Sequence, residues 1–171
     1  MALRKIVEVG DSVLTKKCRE VTEYNRRLHV LLDDMRETLL DSGGVGLAAP
    51  QVGVLRRAVL VMDINRTELS PEEQIIELVN PVIVAADGEQ DGPEGCLSYP
   101  GKYGMVTRPL NVTVRAFDRN GAPFEVSGTG ITARAFCHEL DHLEGKMFMS
   151  LAERMLTDEE VEQMSAGEED E

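Results

Sequence analysis

The segment CHELDHLEG, residues 137–145, restricts the fold of this chain more than any other part of it. Apolar residues recur at helical spacing through and around it, at Ala133, Phe136, Leu140, Leu143 and Met147. His138 and His142 lie four positions apart, so on a helix their side chains differ by about 40° around the axis and about 6 Å along it. The fold therefore has to bury a helix that points two imidazoles at one place.

The two histidines predict a metal site. Buried imidazoles need a polar partner, and a divalent cation supplies one for both of them. Glu139 lies about 100° around the helix from His138, which is too far for a shared ligand role but close enough to reach a water at the metal. The pattern alone is only moderately specific, because two of its five positions are free. The metal-site interpretation is favoured further because these are two of only three histidines in the chain.

Two imidazoles hold a catalytic metal poorly without a third protein ligand. Residues 138–142 form a His-Glu-x-x-His pattern, written HExxH. One class of enzymes with this pattern supplies a further histidine as the third ligand, but Phe148 occupies that position here. Another class uses a glutamate from a later helix. Its candidates are Glu159, Glu160 and Glu162, whose acidic surroundings suggest exposure. The alternative is Cys96, in the turn-rich segment PEGCLSYPG, where Gly95 leaves room for a metal to approach the thiol.

The charge and cysteine content exclude some functions. The chain carries 31 acidic and 18 basic residues, a net charge of −13, which argues against a nucleic-acid binder because phosphate groups are repelled by an anionic surface. No basic residue occurs from Leu156 to Glu171, so we predict no nucleic-acid binding through this acidic tail. Three widely spaced cysteines do not form a disulfide framework, which leaves Cys96 available as a ligand.

The sequence predicts a cytoplasmic protein. No apolar run approaches the roughly 20 residues that a membrane span requires, and the N-terminal residues lack the apolar stretch of a signal peptide. Strand-like sequence begins almost at Met1, which also disfavours an organelle-targeting segment.

Periodicity predicts two further helices and several strands. An amphipathic helix begins near Arg26 and ends at Gly43 and Gly44. A short helix in LTDEEVEQM has Thr157 as its N-cap, with Glu160 completing a capping box. Strands are predicted in RAVLVMDI, in IIELVNPVIVAADGEQDG with a break at Asn80-Pro81, and in the hairpin LNVTVRAFDRNGAPFEVSGTG with its turn at Asn120-Gly121.

Three motifs together resemble the signature of the peptide deformylases, in the order that this family has. They are GGVGLAAPQ, EGCLS and HELDH, at residues 43–51, 94–98 and 138–142. The resemblance implies an α+β fold with antiparallel β-sheets around a central helix that bears the HExxH pattern, besides the N-terminal amphipathic helix and the short C-terminal helix. It also implies one catalytic domain, residues 1–155, followed by an acidic helix or tail, residues 156–171.

The resemblance implies a metal-dependent hydrolase that removes the formyl group from the N-terminal methionine of new polypeptides. Cys96, His138 and His142 would be the metal ligands, with water in the fourth position. Glu139 would be the general acid and base. By resemblance the metal is Fe²⁺, one ion per chain, for which Ni²⁺, Co²⁺ or Zn²⁺ can substitute.

The other motif residues receive roles in the same way. The developing oxyanion would be held by the metal, the side-chain amide of Gln51 and the backbone N–H of Leu97. Val45 and Gly46 would pair with an extended substrate peptide. The family usually has glutamine where this chain has Cys137, and we expect that cysteine to pack rather than to bind metal.

Parts of the sequence also fit two other functions. A structural zinc module would need a fourth ligand, for which Cys18 is a candidate, and would not use Glu139. An HExxH metallopeptidase would cleave internal peptide bonds. Because the tail is acidic, any contact with the ribosome is expected to be transient or to use another surface.

Overall fold

The computed structural model describes residues 2–169 of the chain, with side chains for residues 2–166. Within that range the backbone forms four α-helices and eight strands. The helices are α1 Arg26–Ser42, α2 Pro71–Gln74, α3 Ile131–Leu143 and α4 Asp158–Glu169. The strands are β1 Gly46–Ala48, β2 Ala58–Met62, β3 Ile75–Asp87, β4 Gln90–Cys96, β5 Tyr99–Arg108, β6 Asn111–Phe117, β7 Pro123–Thr129 and β8 Arg154–Met155.

The strands form two sheets in which neighbouring strands pair antiparallel. One sheet has five strands in the order β1-β2-β3-β6-β7, and the other has three in the order β4-β5-β8. Because β1 stands first in its sheet, one of its edges carries no strand among the described residues. The predicted α+β class with antiparallel sheets is confirmed.

The five-stranded sheet lies between α1 and α3. Side chains of β2 alternate between its two faces, as the pleat of a strand requires. Ala58 and Leu60 belong to the buried cluster that contains α1, whereas Val59 and Val61 belong to the cluster that contains α3. This near-continuous apolar strand is therefore buried on both sides.

Helix α1 forms where the apolar periodicity predicts it. Its buried side includes the apolar residues that recur at helical spacing along it, which are Leu28, Leu31, Leu32, Met35 and Leu39. The side chain of Asn25 accepts a hydrogen bond from the backbone N–H of Leu28 and caps the first turn. The helix ends at Gly43, whose φ of 72° lies in the left-handed region that favours glycine.

Helix α3 lies between the two sheets. One side packs Ala133, Phe136 and Leu143 into the core against the five-stranded sheet. The opposite side contacts the three-stranded sheet, where Arg134 donates a hydrogen bond to the carbonyl of Val106 on β5. The HExxH pattern therefore lies on a helix that contacts both sheets.

The break expected at Asn80-Pro81 takes the form of an irregularity inside one strand. Strand β3 continues through this point, but its register against β6 shifts between Val79 and Val82. Asn80 takes a φ of 49°, and its side-chain amide bonds both backbone groups of Val21 at 2.8 and 2.9 Å. The strand-like sequence predicted from near Met1 is wrong for the described residues. Before α1 they form a short 3₁₀ turn, Ser12–Thr15, and a single β-bridge between Arg19 and Arg56, but no strand.

The hairpin and the C-terminal helix follow the predictions. Strands β6 and β7 pair in register, and the turn between them contains Asn120 and Gly121. The hydroxyl of Thr157 accepts from the N–H of Glu160 at 3.2 Å, and the Glu160 carboxylate accepts from the N–H of Thr157 at 3.1 Å, which completes the capping box. Met1, Asp170 and Glu171 belong to the predicted domain and tail but lie outside the described residues.

Among the described residues, no helix combines the length and the apolar character that crossing a bilayer requires.

The burial of α1 leads to a stability prediction. Leu32 is fully buried, so Leu32→Ala is expected to lower the free energy of unfolding by about 2–5 kcal/mol through lost contacts and a new cavity. Val30, on the same helix, is 42% exposed, and Val30→Ala is expected to change it by about 0.5 kcal/mol or less. Urea unfolding followed by circular dichroism measures both. Equal losses in the two variants would contradict the placement of α1.

Candidate metal centre

Three potential metal ligands converge at the middle of the molecule. The sulfur of Cys96 and the nearest ring nitrogens of His138 and His142 all lie within 4.8 Å of one another. The two Nε2 atoms are 3.2 Å apart, and Nε2 of His142 is 3.4 Å from the Cys96 sulfur. Cys96 ends β4, and the histidines lie on α3, so the cluster joins the three-stranded sheet to the helix.

The donor geometry fits a small divalent cation. Two nitrogens bound about 2.1 Å from a tetrahedral ion stand roughly 3.4 Å apart, close to the separation of the two Nε2 atoms. Burial lowers the pKa of His142 to about 3, and the positive charge of His138 is the second cause of this shift. The ring of His142 is therefore neutral and offers a lone pair. A thiol with two imidazoles is a donor set suited to zinc, iron, nickel or cobalt.

His138 is oriented by a buried carboxylate. Its Nδ1 is 2.7 Å from Oε2 of Glu94, which leaves Nε2 facing the cluster. Such a carboxylate–histidine pair fixes the tautomer and the direction of a metal-binding imidazole. Burial alone would raise the pKa of Glu94, but hydrogen bonds from His138 and Arg108 outweigh it and lower the pKa to about 2. Glu94 is therefore ionised and holds the ring in one orientation.

Glu94 is itself held by two arginines. Arg108 on β5 donates from Nε and from one terminal nitrogen, at 3.0 and 2.7 Å, and Arg134 on α3 donates at 3.1 Å. Arg108 also bonds Asp141 on α3 at 2.8 Å. Because Glu94 and Arg108 are both nearly inaccessible to solvent, the charge of each depends on the other for neutralisation.

Glu139 lies beside the cluster without joining it. Its Oε1 is 3.9 Å from Nε2 of His142 and has no hydrogen-bond partner among the described residues. A buried carboxylate oxygen of this kind points to a water or a cation next to it. Burial raises the pKa of Glu139 to about 7. A Cβ atom on Gly46 would come within 2.5 Å of Oε2, so any larger residue there would force this carboxylate or β1 to shift.

The amide of Gln51 is held in one orientation. Its Oε1 accepts from the backbone N–H of Ala48 at 2.9 Å, so its amino group points the other way. That group donates to the hydroxyl of Ser98 at 3.2 Å and lies 3.4 Å from the sulfur of Cys96. A donor is thus aimed at the metal cluster from the five-stranded sheet side.

The remaining motif residues surround the same place. Leu97 and Ser98 form the turn between β4 and β5, next to Cys96. A Cβ atom on Gly44 would lie 3.0 Å from the Leu97 side chain, so the first and second motifs are in contact. Val45 is 36% exposed and precedes β1, and its carbonyl accepts from the N–H of Met62.

A family model described as polypeptide deformylase matches residues 3–157 of the chain. The match spans both sheets, α3 and every residue of the cluster. The chain belongs to the polypeptide deformylase family.

Individual deformylases resemble this chain over nearly its whole length. It is 54% identical to a peptide deformylase from Lachnoclostridium phytofermentans, with 87% of this chain and 88% of that one covered. It is 51% identical to one from Caldanaerobacter subterraneus subsp. tengcongensis, with 95% and 97% covered. A crystal structure of a peptide deformylase from Legionella pneumophila matches with a TM-score of 0.81 at 37% identity, covering 96% of this chain and 98% of that one.

Other side chains considered as ligands lie elsewhere in this deformylase. Cys18 and Cys137 are buried in the apolar core between α3 and the five-stranded sheet. Of the glutamates on α4, Glu160 bonds Arg154 and caps its own helix. Among the described residues, the group of potential ligands contains Cys96, His138 and His142 and neither another cysteine nor a glutamate of α4.

The residues that contact the ligands and Gln51 from further out were not predicted from the sequence. Glu94 is part of the EGCLS motif and received no role, although an acid two residues before a proposed ligand is a candidate partner for a buried histidine. Arg108 and Asp141 had no local signal, because their contacts join segments that are far apart in the chain. Ser98 was likewise not identified as the partner of Gln51.

The buried charge network leads to a second prediction. Glu94→Gln keeps the shape of the side chain but leaves Arg108 with less compensating charge, so the apoprotein is expected to lose about 3–5 kcal/mol of stability. Glu125→Gln is the matched control, because Glu125 pairs with Arg115 at the surface and is expected to contribute about 1 kcal/mol or less. Urea unfolding without metal compares them. A loss in Glu94→Gln as small as in the control would contradict the role given to this network.

Proposed function

We propose that this chain removes the formyl group from the N-terminal formylmethionine of newly synthesised polypeptides and releases formate. The observation that carries the proposal is the convergence of one thiol, two imidazoles and one buried carboxylate on α3 within the fold of this family. The substrate is an amide, so water has to add to the formyl carbon and the carbon–nitrogen bond has to break.

We propose Cys96, His138 and His142 as the ligands of one Fe²⁺ per chain, and Ni²⁺, Co²⁺ or Zn²⁺ as ions that can replace it. A cation held there supplies Lewis-acid chemistry, lowering the pKa of water and polarising the formyl carbonyl. The ligand set is supported by the short distances between the three donors. Iron is chosen because the three motifs resemble those of an iron-using family.

Glu139 is proposed as the general base and then the general acid. Its carboxylate lies beside the cluster with one oxygen free of described partners, so it can take a proton from the attacking water. When the carbon–nitrogen bond breaks, the same proton passes to the leaving amine. Formate and a free amino terminus result, and Glu139 returns to its starting state.

Gln51 and Leu97 are proposed to hold the oxyanion that develops on the formyl oxygen. The amino group of Gln51 already points toward Cys96, because Ala48 and Ser98 hold the amide from both ends. The backbone N–H of Leu97 lies in the turn that follows Cys96. Donors fixed before the reaction stabilise such charge without reorganising, and losing one typically costs about 10²-fold in rate.

Val45 and Gly46 are proposed to pair with the substrate backbone. The carbonyl of Val45 bonds β2, and backbone groups alternate in direction along a strand, so those of Gly46 point to the other edge of β1. That edge carries no strand among the described residues, so an extended peptide can add to it. Pairing through the backbone suits an enzyme that meets many different sequences.

The surroundings of this activity are part of the proposal. We propose that residues 1–155 form the catalytic domain, that residues 156–171 are an acidic appendage, and that the protein works in the cytoplasm where polypeptides are made. The appendage carries no basic residue, so it does not bind nucleic acid, and any contact with the ribosome is transient or uses another surface.

Metal content tests the ligand set. Protein purified without oxygen and loaded with Fe²⁺ is expected to hold about one ion per chain, and Cys96→Ser is expected to hold close to none because a hydroxyl replaces the thiolate. Cys137→Ser is the matched control and is expected to keep the ion, since Cys137 lies in the apolar core. Elemental analysis after gel filtration measures both variants. Full metal content in Cys96→Ser would refute this ligand set.

Formate release tests the reaction and the base. Wild-type protein is expected to release formate from formyl-Met-Ala-Ser, and Glu139→Gln is expected to lower kcat/KM by roughly 10²–10⁴-fold while keeping its metal. Glu159→Gln, an exposed acid on α4, is expected to behave as wild type. No release by the metal-loaded wild type would overturn the proposed function. Cleavage of an unformylated internal peptide instead would favour the metallopeptidase.

A further inference from the structure

A groove lined by arginines opens beside the N-terminal end of α1. Two adjoining cavities, of about 410 and 380 Å³, share Arg27, Val54 and Arg56 in their walls. Five arginines line them in all, and this surface is called the arginine groove: Arg4, Arg19, Arg26, Arg27 and Arg56. None of the three candidate metal ligands lines it, so it is separate from the metal centre.

Most of the positive charge in the groove is not neutralised within the described structure. Arg4 bonds Asp34 at 2.9 Å. The side chains of Arg19, Arg26, Arg27 and Arg56 make no ion pair or hydrogen bond with any described residue, whereas nine other arginines of the chain do. The protein has a net charge of −13, so a cluster of arginines without ion pairs makes the groove opposite in charge to the protein as a whole.

Two of these arginines stand where they oppose folding. Arg26 and Arg27 occupy the first turn of α1, which contains no acidic residue. The N-terminal end of a helix carries partial positive charge, so cations placed there destabilise the helix. The stability of α1 therefore does not explain why Arg26 and Arg27 occur at this end. An anion bound in the groove would offset the repulsion between these arginines and the positive end of the helix.

We propose that the arginine groove binds the phosphodiester backbone of RNA. Guanidinium groups present planar forks that match phosphate oxygens, and the groove contains arginine with no lysine. Together the two cavities are large enough for several linked phosphates rather than a single one. No aromatic side chain lines them, so bases are not stacked and the contact does not depend on sequence.

Acidic residues elsewhere on the protein limit RNA binding to the arginine groove. Glu20 and Glu23 line the second cavity and reduce its charge, and the acidic excess elsewhere repels phosphate. Binding is therefore weak, salt-dependent and confined to the groove. The choice of RNA over another polyanion rests on the proposed function, because a protein acting on nascent chains works beside the RNA of the ribosome.

Fluorescence anisotropy with a labelled RNA hairpin tests the proposal, using the full chain loaded with metal. At 50 mM KCl we expect a Kd of about 10⁻⁴–10⁻⁶ M, weakening with salt with a log–log slope of roughly 3 to 4. Arg27→Gln/Arg56→Gln is expected to weaken binding at least tenfold and to reduce that slope by about 2. Arg66→Gln/Arg115→Gln removes the same charge from exposed ion pairs elsewhere and is expected to stay within about twofold of wild type.

A second groove variant and a competing anion complete the experiment. Arg26→Gln/Arg27→Gln removes charges that oppose α1, so it is expected to fold at least as stably as wild type and still lose RNA. Inorganic tripolyphosphate, a free phosphate source, is expected to compete only weakly. Absence of RNA binding, equal losses in the groove and control variants, or tight binding of tripolyphosphate alone would each overturn the proposal. The assay needs no formylated substrate, so failure here and failure to release formate are separate results.

Discussion

The buried carboxylate of Glu94 is the contact on which the arrangement of this protein depends. It lies on β4 and bonds Arg108 on β5, and it bonds His138 and Arg134 on α3. A buried charge without partners would be strongly unfavourable, so these elements have to meet in one geometry. That geometry holds the second sheet against α3 and fixes the ring of a candidate metal ligand.

The candidate active site lies where the two sheets meet this helix. The five-stranded sheet contributes the edge strand β1 and, just after it, Gln51, while the three-stranded sheet contributes Cys96 and the turn after it. The side-chain amide of Gln51, which follows β1, donates a hydrogen bond to Ser98, which lies between β4 and β5. This bond links the part of the site that comes from the five-stranded sheet to the part that comes from the three-stranded sheet. Substrate backbone, metal ligands and oxyanion donors therefore come from separate elements whose relative positions the buried network maintains.

Net charge describes this surface poorly. The overall value of −13 predicts repulsion of nucleic acid, yet arginines from four separate parts of the chain meet in one groove. Arg19 and Arg56 become neighbours through a β-bridge, and Arg26 and Arg27 start α1 nearby. A sum over the chain cannot express such a local excess, because it depends on where the fold brings distant residues together.

The sequence by itself determined the α+β class, α1, α3, the hairpin, and the family that the three motifs indicate. These features depend on periodicity and short motifs, which act over a few neighbouring residues. Tertiary structure alone decided that Glu94 orients His138, that Arg108 neutralises Glu94, and that β3 continues past Asn80 with a shifted register. The reason is physical: a buried polar group must find its partner wherever the fold supplies one, and that partner leaves no mark at a fixed distance along the chain.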